Sequence, residues 1–173
     1  MGKKFNLPLL ADAWGRPERS STKTKKPSLD DARARLGGKT ASDSPAPPGI
    51  VPGRVVALTT TSGAQIVAVV VHATATEAHV LVDGVRLRRV APSALTLHDG
   101  DPPEDLAKIA VDARVFGTLS EGQPVRYADD AGALLGGKLV EKCRYGALIV
   151  RDDGAVIAVG FRKLWPGAPH GAA

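Results

Sequence analysis

The chain has 173 residues, 43% of them hydrophobic and only 4% aromatic, with 23 Lys/Arg against 18 Asp/Glu and a net charge of +5. That apolar content suffices for one or two packed domains, and the scarcity of Phe, Trp and Tyr leaves the core to Val, Leu, Ile and Ala, a choice that favours strands. A single cysteine, Cys143, excludes an intrachain disulfide and a cysteine-based metal cluster, and no run approaches the roughly 18 apolar residues of a membrane helix.

Residues 1–49 read as a basic, largely disordered arm. The opening Met1-Gly2-Lys3-Lys4-Phe5 is positively charged, but Asn6, Asp12 and Arg16 interrupt the apolar stretch a signal peptide needs, so a cytoplasmic location is expected. Residues 1–48 carry ten Lys/Arg against five Asp/Glu and residues 49–173 thirteen of each, so all the excess positive charge lies in the arm. Its Pro, Ser and Lys cannot bury enough surface to offset the cost of ordering. Two islands inside it are expected to order on a partner. One is the apolar cluster Phe5, Leu7, Leu9, Leu10 and Trp14; the other, residues 28–39, is a short helix with Ser28 as N-cap, Leu29, Ala32 and Leu36 on one face, and Gly37-Gly38 as its stop. Arg16, Arg19, Lys23, Lys25 and Lys26 are the candidates for contacts to phosphates.

A first folded unit is expected over residues 50–100. A strand from Ile50 to Leu58 leads through the polar loop Thr59 to Ala64 into Gln65 to His72, which is apolar on both faces. The pair Ala78 to Val82 and Val85 to Val90 flanks Asp83-Gly84, a tight hairpin signal, with Arg86 and Arg88 sharing the outer face. Pro92-Ser93-Ala94 turns into a last short strand. Residues 101–118 form a connecting helix with Asp101 as an acidic cap, prolines at its start, and Leu106, Ile109, Ala110 and Ala113 on one face. It is expected to pack between two folded units and set their angle.

The second unit, residues 119–166, repeats the first, and residues 167–173 form a tail. Gly53 and Gly122 precede the first strands and lie 69 residues apart; the turn glycines, Gly84 and Gly154, lie 70 apart. Two copies of one small module follow. Five short strands, a glycine before the first, a tight hairpin between third and fourth and a one-turn helix before the last resemble the plan of Src-homology-3-like small barrels. Glu121-Gly122-Gln123-Pro124-Val125-Arg126-Tyr127 followed by Gly136-Gly137-Lys138-Leu139-Val140 is similar to the opening of Tudor or KOW modules. The resemblance implies a mainly β fold of two tandem SH3-like small β-barrels joined by a short α-helix. The Tudor likeness implies an aromatic cage for a methylated cation, with Tyr127 and Tyr145 the only tyrosines; the KOW likeness implies contacts to RNA or to proteins of ribonucleoprotein machines.

Enzymatic motifs are present only in part. Gly132 to Lys138 fits the spacing of a phosphate-binding loop, but Leu139 stands where a hydroxyl must hold magnesium and a strand follows where a helix must begin. His72, His79, His98 and His170 lack zinc-chelating spacing, although His72 and His79 can meet across a hairpin. Lys142 and Arg144 flank Cys143 and would lower its thiol pKa if they face it. Asp129-Asp130 and Asp152-Asp153 sit beside glycines, where aspartate serves turns. No catalytic residue, cofactor or metal is therefore expected. The sequence points to a non-catalytic adaptor that docks a protein partner through its arm and its barrel surfaces, Arg86, Arg88, Arg162, Lys163 and Trp165. The alternative is a nucleic-acid-binding or ribosome-associated protein with its lysines on phosphates.

Overall fold

A computed structural model of the chain describes residues 28–40 and 44–168. The first unit holds β1 (Val55–Thr59), β2 (Gln65–Ala73), β3 (Ala78–Val82), β4 (Arg86–Val90) and β5 (Leu95–Leu97), with a single 3-10 turn at Pro92–Ala94 before the last strand. Helix α2 (Glu104–Thr118) leads to β6 (Pro124–Ala128), β7 (Leu134–Cys143), β8 (Gly146–Val150), β9 (Val156–Gly160) and β10 (Leu164–Pro166), again with a 3-10 turn, Phe161–Lys163, before the last strand. Each unit is one antiparallel five-stranded sheet, ordered β4-β3-β2-β1-β5 and β9-β8-β7-β6-β10. Neither sheet closes on itself, so the expected barrels are open sheets.

The two ladders superimpose at a constant offset of 69 residues. Val56 faces Ala68 as Val125 faces Gly137, and Val70 faces Val80 as Leu139 faces Ile149. The register slips once in each second strand, after Val70 and after Leu139, so even the bulge is duplicated. The Gly53 amide donates to the Val70 carbonyl and the Gly122 amide to that of Leu139. The turn glycines lie one residue out of step because loops of equal length place them differently: Asp83 and Gly84 both take positive φ, whereas in the second unit only Gly154 does. Val85, expected to open β4, belongs to that turn.

β2 explains how the units join. Its apolar residues on both faces serve two cores, as its sequence suggests. Ala68 and Val70 join Val56, Leu58, Val80, Val82 and Leu95 in the first unit's own core. Val69 and Val71 on the opposite face join Leu106, Ile109, Ala110 and Ala113 of α2, in a cluster that continues into Val125, Leu139, Ile149 and Leu164 of the second sheet. α2 is thus sandwiched between the back of the first sheet and the second unit. Gly53 permits this approach, since a Cβ there would fall 2.5 Å from the Ala110 carbonyl oxygen. The helix opens differently from the expectation: Pro103 takes the N-cap position with no side-chain cap, and Glu104 and Asp105 supply the negative charge at the first turn. At its other end Lys142 donates to the Gly117 and Leu119 carbonyls (2.9 and 2.8 Å) and lies 5.0 Å from the centre of the Phe116 ring.

Helix α1 (Leu29–Arg35) forms where its sequence places it, with Ser28 and Asp31 making a reciprocal capping box. It does not wait for an outside partner, because the chain's own second sheet holds it. Leu36 packs with Cys143 and Leu148, Arg33 grips Glu141 through Nε and Nη2 (2.6 and 3.0 Å), and Lys39 forms a β-bridge with Cys143. Leu29, expected on the packed face, is 51% exposed.

Candidate functional site

Residues that face each other in an antiparallel ladder share a side of the sheet. Tyr127 faces Leu135 and Leu164, and Ile157 faces Ile149, so these side chains lie on the inner face of the second sheet. Because the sheet stays open, the inner face ends in a groove of about 820 Å³. Buried Tyr127 and the more exposed Leu135 and Ile157 give its apolar floor, with Phe161 and Tyr145 at one end.

The rim is charged, and its charges are largely committed. Asp130 pairs with Lys163 (3.2 Å), Arg151 with Asp153 (3.2 Å) and Arg162 with Asp112 (3.9 Å). Burial pushes the Asp112 carboxyl above its ordinary range, and Arg162 offsets part of that. Asp129 holds its own loop by accepting from the Ala133 amide (2.8 Å), the turn role its glycine neighbourhood suggests.

Tyr145 also reaches into the first unit. Its hydroxyl lies 2.5 Å from His79 Nδ1, and His79 Nε2 bonds to the Glu77 carboxylate. His79 is the one buried polar or charged residue among the described residues, 1% exposed. The His79 bond holds the Glu77 carboxyl below its usual range, while burial pushes the Tyr145 phenol up. His72 meets His79 edge-on across the β2–β3 hairpin, with ring centres 5.4 Å apart.

The 69-residue offset makes the first unit an internal control. Where the second unit has Tyr127, Asp129, Asp130, Tyr145 and Phe161, the first has Leu58, Thr60, Thr61, Thr76 and Pro92. The scaffold is shared, and the aromatic and charged residues that line the groove have no counterpart at these positions of the first unit.

Of the residues singled out from sequence, Phe5, Leu7, Leu9, Leu10, Trp14, Arg16, Arg19, Lys23, Lys25 and Lys26 lie outside the described residues. Arg86 and Arg88 do share a face, but it is the inner one: they pair with core residues Val82 and Val80. They remain exposed because β4 is an edge strand, where a long side chain reaches solvent. Arg162 and Lys163 line the groove of the second sheet. Half-buried Trp165 faces Arg126 and lies one residue out of phase with inward Leu164, so it is not brought together with them. Cys143 is buried beneath α1 and burial pushes its thiol up, contrary to the activation its basic neighbours suggest. Gly132 to Lys138 is turn and strand, without a following helix.

Sequence reasoning passed over Leu135, Ile157 and Phe161 as groove residues. For Ile157 and Phe161 the signal is departure from the first copy, which has Arg88 and Pro92 at the aligned positions; Leu135 aligns with Ile66 and carries no such signal. Among the described residues no group of three or more His, Cys, Asp or Glu is placed to hold a metal ion, and no helix is long and apolar enough to cross a membrane. No protein-family model matches the chain, and no curated protein matches its sequence.

Proposed function

We propose that the chain is a non-catalytic adaptor whose ligand site is the groove of the second sheet, and that the groove takes an extended peptide segment with apolar anchors. One observation carries this reading: two units with a common ladder differ where the groove lies, aromatic and charged in one, Leu, Thr and Pro in the other. An apolar floor with a few polar groups at its edge is the usual build of a binding site. Rim carboxylates and cations already paired with one another favour a ligand held by its apolar side chains over one held by net charge.

The repeated strand order, the bulge in each second strand and the 3-10 turn before each last strand support reading both units as SH3-like modules. On that reading the arm, with Phe5, Leu7, Leu9, Leu10 and Trp14, supplies a second docking element beside the groove. Tethering both to one chain raises the effective concentration of whatever each holds.

The test is selection of a random peptide library on the immobilised full chain. Selected peptides should lose about tenfold or more in affinity on Leu135→Glu, which places a charge on the groove floor, and keep it on Arg88→Ala in the first unit. Their affinity should change little with salt. Selection of no peptide, or equal binding to Leu135→Glu, would sink the reading. RNA or DNA binding that falls steeply with added salt would put a nucleic-acid role in its place.

A further inference from the structure

Tyr145 is the point where three parts of the chain meet. Its backbone amide donates to the Leu36 carbonyl and its carbonyl accepts from the Phe161 amide (both 3.0 Å), which ties it to the α1 segment and to the other aromatic residue at that end of the groove. Gly37 lies flush against its ring: a Cβ there would fall 2.5 Å from Cε2, and φ is +82°. Its hydroxyl is held by the first unit through His79.

The chemistry of that last contact ties both ring nitrogens of His79 to partners. Glu77, ionised because its carboxyl lies below the usual range, can only accept, so His79 Nε2 carries a proton and donates to it. Nδ1 bonds the Tyr145 hydroxyl in either charge state of the ring: the hydroxyl donates to the lone pair of a neutral imidazole and accepts from an imidazolium. A buried imidazole with an unmet nitrogen is costly, so the site favours the ring position that supplies the hydroxyl. The two copies show that the pair is complementary across units. His79 occupies the position of Leu148, and Tyr145 that of Thr76. Each unit supplies the group its duplicate lacks.

We propose that the first unit presets the ligand groove of the second: Glu77 and His79 act as positioning residues that lock the Tyr145 ring in the orientation a bound peptide meets. The proposal rests on the groove reading above. It gives the first unit, which lacks a groove of this composition, a part in binding.

The experiment is a double-mutant cycle on the full chain, with a library-selected groove peptide as the probe. His79→Leu, which installs the side chain found in the duplicate, and Tyr145→Phe should each weaken the peptide about fivefold, and the double variant should be no weaker than either. Glu77→Gln, at a half-exposed position, should shift affinity the same way by less. Unchanged affinity in His79→Leu, or fully additive losses, would overturn the proposal while leaving the groove reading intact, provided Leu135→Glu still weakens binding about tenfold or more. A ligand-free measurement decides independently. By 13C relaxation the Tyr145 ring should be as ordered as that of buried Tyr127 in the wild type and mobile in His79→Leu, and equal order in both proteins would refute it.

Discussion

Glu141 shows how one side chain carries a pH dependence. The Arg33 fork holds its carboxyl below the ordinary value of 4.5, by hydrogen bonding first and then by charge. A depressed carboxyl contributes stability that is present above its unfolded pKa and lost as pH falls through the folded value. Urea midpoints should therefore drop in the window below about pH 4.5, and Glu141→Gln should lower the midpoint at neutral pH and flatten that limb. The limb should not vanish, because Glu77 is depressed in the same direction by His79. Two residues along, Cys143 responds to the same contact. The ammonium of Lys142, its neighbour in sequence, is spent on the carbonyls at the end of α2. A thiol raised by burial and covered by Leu36 should react slowly with a disulfide reagent at pH 8, and Arg33→Ala should speed labelling about tenfold by loosening α1.

A seven-residue helix is marginal on its own, so α1 owes its existence to what it packs on. Truncating its buried anchor in Leu36→Ala should cost about 2 kcal/mol in chemical denaturation and release amide protection around β8. The local features of this element are legible in sequence because they depend on near neighbours: the Ser28 cap reaches three residues, and Gly37 and Gly38 supply the positive φ that ends the helix. Its destination is not, since Arg33 and Glu141 are 108 residues apart. β4 fails for a related reason. Alternation correctly groups Arg86 with Arg88, but which face they share depends on pairing with Val82 and Val80, and charge alone suggests the wrong one. The groove was hidden likewise. Tyr127 and Tyr145 are visible as the only tyrosines, yet Phe161 joins Tyr145 only through a backbone bond between segments 16 residues apart. That leaves the repeat itself, the two-faced β2 and the α2 stripe as features whose periodicity survives without tertiary knowledge.

Two similar modules on one chain ordinarily unfold as two, and this pair should not. The core that contains Ile109, Ala113 and Phe116 runs without a break from Val69 and Val71 of the first sheet to Leu139, Ile149 and Leu164 of the second. Removing either unit would expose α2 on one side, and the helix would lose part of what buries it. The first unit's private core is built of Val, Ala, Leu and Ile without an aromatic residue, and a unit of about fifty residues stands near the lower limit for folding alone. Calorimetry should therefore show one transition whose van't Hoff and calorimetric enthalpies agree, with amide signals from β3 and β8 lost together. Ile109→Ala, which hollows the shared cluster at a site 1% exposed, should cost about 3 kcal/mol and move both sets of signals equally. If the β8 signals persisted after those of β3 had gone, α2 would belong to the second unit alone, and the first could not act on the groove through Tyr145.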